Sequence, residues 1–254
     1  MRHAVLEPPS SSYPQGLTTA GLGTPDLALA LTQHDRYRAA VEACGIEVLY
    51  LDPDPDHPDA CFVEDVAIVT DRGFMLTRPG APSRRGEVKT MARALSRFQE
   101  RLPVIEPPGL LDGGDVCQAE NHFWIGLSAR TNLEGAEQLG AWLAGLGYTH
   151  KAVSMSGMDM LHLKSGLGYL GEGRLAVVDE LRGDDAFRGY ELVRVLREER
   201  YAANCVRLND HVLIAAGHPM FEASLKTLGY SVISLEMSEF EKMDGGVSCL
   251  SLRW

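Results

Sequence analysis

The sequence predicts an α/β fold built from repeated strand-strand-helix-strand units, and three observations carry that expectation. A ββαβ pattern returns along the chain every about 40 to 55 residues, the size of one unit in a radial or solenoidal array. The N-terminal strand and helix form an incomplete unit that a C-terminal strand can complete, which brings the count to five. The chain of 254 residues is 45% apolar and 23% charged, the length and composition of a globule with one large core, so residues 1–254 are read as a single domain. Closing five units into a ring leaves no free sheet edge and brings the C-terminal segment near the axis. An open sheet with ordinary βαβ rhythm is the alternative.

The elements follow from local pattern. His3–Glu7 reads as a strand, and residues 10–23 as a loop rich in Ser, Gly, Thr and Pro. Thr24-Pro25-Asp26 reads as a helix start, with a capping hydroxyl, a proline at the first helical position and an acid near the positive end of the dipole. Leu27, Ala30, Leu31, His34, Tyr37, Val41 and Cys44 then recur at helical spacing up to Gly45, and Ile46–Leu51 reads as a strand. Asp52–Asp59 carries three prolines and cannot be regular structure. Asp65–Thr70 and Phe74–Thr77 read as a hairpin, followed by a helix with Val88, Met91, Ala92, Leu95 and Phe98 on one face. The next round places strands at Val116–Ala119 and Phe123–Leu127 and a helix from about Asn132 to Leu146, with Leu133, Ala136, Leu139, Leu143 and Leu146 inward. Weaker rounds follow at Leu161–Leu170 and Leu175–Val178 with a turn near Asp184–Tyr190, then at Asn204–Leu208 and Val212–Ala215 with a helix over Pro219–Leu228.

Charge and cysteine usage narrow the function. A net charge of -11 argues against a general binder of nucleic acid or anionic membrane and suits a cationic ligand. Cys44, Cys61, Cys117, Cys205 and Cys249 are scattered and form no C-x-x-C pair, which points to reduced thiols in a cytoplasmic protein and to no structural zinc. Met1–Pro9 lacks the apolar core and cleavage site of a signal peptide, and no apolar run approaches the about 18 residues of a membrane span. Gly21-Leu-Gly23 lacks the rest of a dinucleotide loop, and no P-loop, zinc-protease helix or nucleophile elbow is present. No cofactor and no metal is expected.

What remains is a thiol, an imidazole and acids. Met243-Asp-Gly-Gly-Val-Ser-Cys249-Leu-Ser-Leu-Arg-Trp254 places a cysteine between a glycine turn and an alternating apolar segment, which fixes a side chain at the mouth of a pocket or buries it in the core. In Leu161-His-Leu-Lys-Ser165, strand alternation turns His162 and Lys164 away from the face of Leu161 and Leu163. The glycines of Asp112-Gly-Gly-Asp115 let another group approach the backbone. Glu64 and Asp65 head an apolar strand, where a buried acid needs a cationic partner. Arg84 and Arg130 precede helices, where a cation opposes the dipole and hints at an anionic ligand group.

These pieces occur in an order that resembles one family. Gly16-Leu-Thr18, Pro58-Asp59 with Phe62-Val-Glu-Asp65, Thr77 to Glu87, Leu111-Asp-Gly-Gly-Asp115, Gly126 to Asn132, Leu161 to Ser165, Tyr201-Ala-Ala-Asn-Cys205 and Asp244 to Cys249 together are similar to dimethylarginine dimethylaminohydrolases, guanidine-modifying enzymes of the pentein superfamily. The resemblance covers nearly the whole chain. It implies a pentein-type five-bladed α/β propeller of ββαβ repeats with pseudo-fivefold symmetry. It implies hydrolysis of N-omega-methylated arginines to citrulline and an amine, with Cys249 as nucleophile, His162 as acid and base, and Asp65 and Asp112 on the guanidinium. Glu64 would support that grip or hold a neighbouring arginine. Arg84 and Arg130 would meet the α-carboxylate, Asp59 and the backbone near Leu17 the α-amino group, and Phe62 would pack beside them. Where some bacterial members carry glutamate, this chain has Asp112, a shorter arm. Residues 10–23 would close over the ligand as a lid. An arginine deiminase, an amidinotransferase and a non-catalytic pentein that binds a large partner are the rival readings. A small-molecule substrate is the expected partner, with neither nucleic acid nor membrane; monomer and homodimer both stay open.

Overall fold

A computed structural model describes residues 1–254 and shows five small sheets arranged as blades around one axis. The chain opens with β1 (His3–Leu6), α1 (Leu27–Ala43) and β2 (Glu47–Tyr50), with β1 and β2 parallel. The next blade holds β3 (Ala67–Thr70), β4 (Gly73–Leu76) and α2 (Val88–Leu95). Its outer strand shrinks to one parallel bridge between Leu76 and Val104. A full blade follows, with β5 (Val116–Ala119), β6 (His122–Leu127), α3 (Leu133–Gly145) and β7 (Thr149–Ser154). Next come β8 (Leu167–Gly171), β9 (Arg174–Val177) and β10 (Glu191–Arg194), where a 3-10 turn at Asp185–Phe187 stands in for the helix. The fifth has β11 (Val206–Leu208), β12 (His211–Ala215), α4 (Pro219–Thr227) and β13 (Ser231–Leu235). A one-turn α5 (Ser238–Glu241) leads into the C-terminal β14 (Leu252–Arg253), which returns to pair with β1.

One pairing rule holds in every blade: the first strand is antiparallel to the second, and the second is parallel to the third. The ring closes through the register Ala4↔Arg253 and Val5↔Leu252, and Arg2 and His3 both donate to the carbonyl of Trp254. The first strands line the axis and the helices cover the outside. Apolar clusters fill the space between, the largest around Trp124, Phe187, Leu175 and Phe221.

Local sequence sets the element ends, with some departures from the pattern-based reading. α1 is capped by Asp26, whose carboxylate accepts from the amides of Ala28 and Leu29, so the helix begins after the Thr24-Pro25 pair. Leu31 and Leu133, expected inward, lie exposed, and so does Phe98, because α2 ends at Leu95 and no longer sets its direction. Glu64-Asp65 forms a 3-10 turn, not the head of a strand, and His162 is the extended residue before another such turn at Leu163–Ser165. The C-terminal strand is only two residues long, and Cys249 lies in the turn that precedes it. No helix is long and apolar enough to cross a membrane.

Candidate active site

Three 3-10 turns precede first strands of successive blades: Val63–Val66 before β3, Gly113–Asp115 before β5 and Leu163–Ser165 before β8. They converge at one end of the axis, and each delivers polar side chains there. The close fit explains the glycines. A side-chain carbon on Gly113 would strike the carbonyl of Glu64, and one on Gly114 would lie 2.6 Å from His162 Nδ1 and 2.9 Å from Asp65 Oδ1. Gly245 and Gly246 serve the same end beneath the ring of Phe62 and the amide of Asn204, while the left-handed turn falls on Asp244 at φ 57°.

A small cleft of about 30 Å³ opens among Leu17, Asp59, Phe62, Asp65, Arg84, Arg130, Leu161, His162, Met243, Asp244, Gly245 and Cys249. Eight of the ten residues singled out in the sequence thus share one pocket, and the remaining two, Asp112 and Glu64, stand behind it. Cys249 is the one cysteine of the five that is not fully buried. Its sulfur accepts from the amide of Gly246 at 3.4 Å, with the Asn204 side-chain amide at 3.9 Å. Burial and the charges of Glu64 and Asp65 push the thiol up to about 12, against the opposing pull of Gly246 N–H and Lys164.

His162 reverses the usual effect of burial. Desolvation alone would lower its imidazole, but Asp65, Asp115 and the hydrogen bond and charge of Asp112 outweigh it and raise the value to about 9. The resting site therefore holds a neutral thiol beside an imidazolium. Asp65 stays ionised, held at about 2 because His162, Arg84 and the amide of Gly114 overcome its burial. Its Oδ2 takes a 2.5 Å contact from Arg84 and its Oδ1 accepts from Gly114 N–H at 2.8 Å.

Two sequence-derived expectations, for Asp112 and Arg84, need revising on geometric grounds, and of the two roles expected for Glu64 the structure favours the hold on a neighbouring arginine, Arg253. Asp112 is fully buried and does not face the cleft: Oδ2 accepts from His162 Nε2 at 3.0 Å, Oδ1 accepts from Gly80 N–H at 2.8 Å, and Arg130 lies 3.8 Å away. Arg84 has every guanidinium nitrogen engaged, on Glu87, Asp65 and the carbonyls of Asp59 and Phe62, so it braces the acids from behind. Glu64 turns away from the cleft altogether. It accepts from Ser248 Oγ at 2.7 Å and pairs with Lys164 at 2.6 Å and Arg253 at 3.0 Å. Arg130 keeps a partly open guanidinium at the cleft, and Asp59 accepts from the amide of Leu17 through both oxygens.

Pattern reading passed over several residues that position the site. Asp115 accepts from Ser128 and Thr131 hydroxyls and from the amide of Leu163, the residue after His162. Asn204 accepts from the amide of Ser248 and donates to the carbonyl of Lys164. The signal for Asp115 was present as the second acid of the Asp-Gly-Gly-Asp run; for Asn204 it lay only in the motif Tyr201 to Cys205. Oxygens of Asp65 and Asp112 and a nitrogen of His162 lie within 4.8 Å of one another, close enough for a metal ion. Each oxygen of the two carboxylates already accepts a hydrogen bond, from Arg84 and Gly114 on Asp65 and from Gly80 and His162 on Asp112.

No family model matches the chain. It is 41% identical over 254 residues to the N(G),N(G)-dimethylarginine dimethylaminohydrolase of Pseudomonas aeruginosa, covering 100% of this chain and 99% of that one. It is 35% identical over 253 residues to the protein of the same name from Streptomyces coelicolor, covering 99% and 96%. A crystal structure of the Pseudomonas aeruginosa enzyme with a cysteine-to-serine substitution, in complex with citrulline, superposes with a TM-score of 0.97 at 40% identity over 100% of this chain and 99% of that one. The N-terminal domain of ArgZ, a cyanobacterial arginine dihydrolase, shares the fold at a TM-score of 0.89 with 18% identity, covering 99% and 96%. The five blades, their pairing rule and this likeness along the whole length place the chain in the dimethylarginine dimethylaminohydrolase family of the pentein fold.

Proposed function

We propose that the protein hydrolyses arginines bearing one or two methyl groups on a guanidine nitrogen, yielding citrulline and methylamine or dimethylamine. The observation that carries the reading is the convergence of Cys249, His162 and Asp65 on one small cleft, with a neutral thiol, an imidazolium and an ionised carboxylate. The whole ring, residues 1–254, acts as one catalytic unit. The free cysteines favour a cytoplasmic location.

A guanidinium is a planar cation that a carboxylate matches geometrically. Asp65 faces it directly, and Asp112 adds negative charge from behind the imidazole. Arg130 takes the α-carboxylate, Asp59 with the Leu17 backbone takes the α-amino group, and Phe62 packs against the apolar stem. Arg84 holds Asp65 in place. As the cation enters, its charge offsets that of Glu64 and Asp65, and Cys249 loses its proton to solvent. The thiolate forms a bond to the central guanidine carbon. His162 gives its proton to the methylated nitrogen, the C–N bond breaks, and the amine leaves a cationic thiouronium on sulfur. Neutral His162 then takes a proton from water, whose oxygen adds to the same carbon. Cleavage of the C–S bond returns the thiolate, the remaining hydroxyl proton passes to solvent, and citrulline is released.

Incubation with asymmetric dimethylarginine, followed for citrulline and for dimethylamine, tests the reading. Wild type produces both in equal amounts, and Cys249→Ser produces neither. Citrulline from unmethylated arginine but not from the methylated substrate would replace the reading with a deiminase.

A further inference from the structure

Behind the nucleophile lies a second and much larger cavity. It runs along the ring axis, measures about 580 Å³ and takes a wall from the first strand of every blade. That volume is in the range of small-molecule pockets. Its inner end and the catalytic cleft are separated by the turn carrying Ser248 and Cys249: Ser248, Glu64 and Lys164 face the cavity, and Cys249 faces the cleft.

The charges at that inner end do not balance. Glu64 is the one carboxylate, and it is shared by Lys164 at 2.6 Å and Arg253 at 3.0 Å. Neither cation pairs with any other acid. Arg253 Nη1 donates to the carbonyls of Ser248 and Ser251 and the hydroxyl of Ser251, whereas Lys164 has Glu64 as the sole protein partner for its three donors. One positive charge is thus left uncompensated in a largely buried position, which is costly unless an anion meets it. The acids nearer the mouth, Asp71 and Glu120, are engaged by the hydroxyls of Tyr148 and Tyr169. Between the two ends the wall is apolar, formed by Ile68, Val116, Phe123 and Leu252 among others.

We propose that the axial cavity binds a small organic carboxylate, its head on Lys164 and its apolar body along the inner strands, and that occupancy is coupled to Cys249 through Lys164. The coupling follows from position. Lys164 favours ionisation of the Cys249 thiol while Glu64 opposes it, so an anion that takes up the ammonium leaves Glu64 less screened and holds the thiol protonated. The substrate is a cation at the other side of the same wall, so the two sites select opposite charge.

Phenylbutyrate is a suitable probe, with phenylbutanol and phenylbutylamine as neutral and cationic matches, measured by calorimetry on the full-length enzyme. Saturable millimolar binding is expected for the carboxylate alone. Lys164→Met, in which Glu64 keeps Arg253 and Ser248, weakens it at least about tenfold. Val69→Phe, which narrows the half-buried wall without touching a charge, does the same. Arg130→Ala, in the catalytic cleft, leaves binding unchanged. Bound phenylbutyrate also slows alkylation of Cys249 by iodoacetamide severalfold. Equal binding of the alcohol, or loss in Arg130→Ala with retention in Lys164→Met, overturns the site. Binding with unchanged alkylation overturns the coupling.

Discussion

At neutral pH His162 carries the proton that an isolated imidazole would mostly lack, and Cys249 is held as a thiol far more firmly than an isolated cysteine. A thiol pushed up to about 12 leaves about one part in a hundred thousand as thiolate at pH 7, against about 3% for an ordinary cysteine. Iodoacetamide should therefore modify the empty enzyme at least about a hundredfold more slowly than free cysteine at pH 7. The rate should climb with each pH unit without levelling below the highest accessible pH, and it should rise when an amidinium is bound. A mass-spectrometric time course reads this directly, and rapid alkylation at pH 7 without ligand would end the charge-offset account. For His162 the sign runs the other way. Its folded value, about 9, lies above the ordinary imidazole value near 6.5, so the folded state holds a proton that the unfolded chain gives up. Its contribution to stability is complete below pH 6.5 and is lost as pH rises through about 9, on the order of 3 kcal/mol. Denaturant titrations at pH 6 and pH 9.5 should show that fall in wild type and little of it in His162→Gln. Nitrogen chemical shifts should follow His162 titrating near 9, and in Asp112→Asn at least about one unit lower.

At the scale of elements, the site depends on short turns that carry little periodic signal. Helices and strands were legible because apolar spacing announces them: β5 matches its expected span, and the expected helix over 132–146 forms as α3. The turns at Val63–Val66, Gly113–Asp115 and Leu163–Ser165 were not, since three or four residues cannot show a period. That is why Glu64 was placed at the head of a strand, with support of the substrate grip and a hold on a neighbouring arginine both left open, although the sequence did show that it and Asp65 must point apart. Side-chain reach was equally hidden: nothing local says that Arg84 turns inward to Glu87 and Asp65. The glycines of Asp112-Gly-Gly-Asp115 were read correctly as allowing close approach, and they test the packing. Gly113→Ala should cost about 1–3 kcal/mol because the carbonyl of Glu64 must move. Gly114→Ala should fold but lose about a hundredfold in kcat, since the new methyl displaces the imidazole. The loop expected to be a lid is tied down by Thr18 on the carbonyl of Lys242 and by Thr19 on the carboxylate of Asp244. Asp244→Gly keeps the left-handed backbone and removes only the latch, so amide exchange at residues 17–23 should quicken about five- to tenfold, as loss of about 1 kcal/mol requires. Unchanged exchange would mean the loop is held elsewhere.

At the scale of the whole molecule, the ring makes the two chain ends neighbours and links their meeting to the turn that carries Cys249. β14 is only two residues long, yet it pairs with β1, and Trp254 exchanges hydrogen bonds with His3 while its carbonyl also takes the amide of Arg2. Arg253 on that strand reaches Glu64, which holds Ser248, the residue before the nucleophile. The placement of Cys249 near the axis was anticipated from the repeat count; its link to Arg253 was not, because that contact spans nearly the full chain. Covalent continuity elsewhere in the ring should matter less than this junction. The turn at 179–184 belongs to the blade carrying β8 to β10, has Glu180 and Arg182 exposed, and contributes no residue to the lining of either cavity. A permutant opened between Arg182 and Gly183, with Trp254 joined to Met1 by a short flexible linker, should fold and retain citrulline formation within a few-fold of wild type. Removing Leu252–Trp254 from the unpermuted chain should instead abolish activity and lower the unfolding midpoint, because it opens the ring and frees Glu64 from Arg253. If the permutant lost activity while the truncated chain kept it, the thiol would be held by its local turn alone and ring closure would have no part in catalysis.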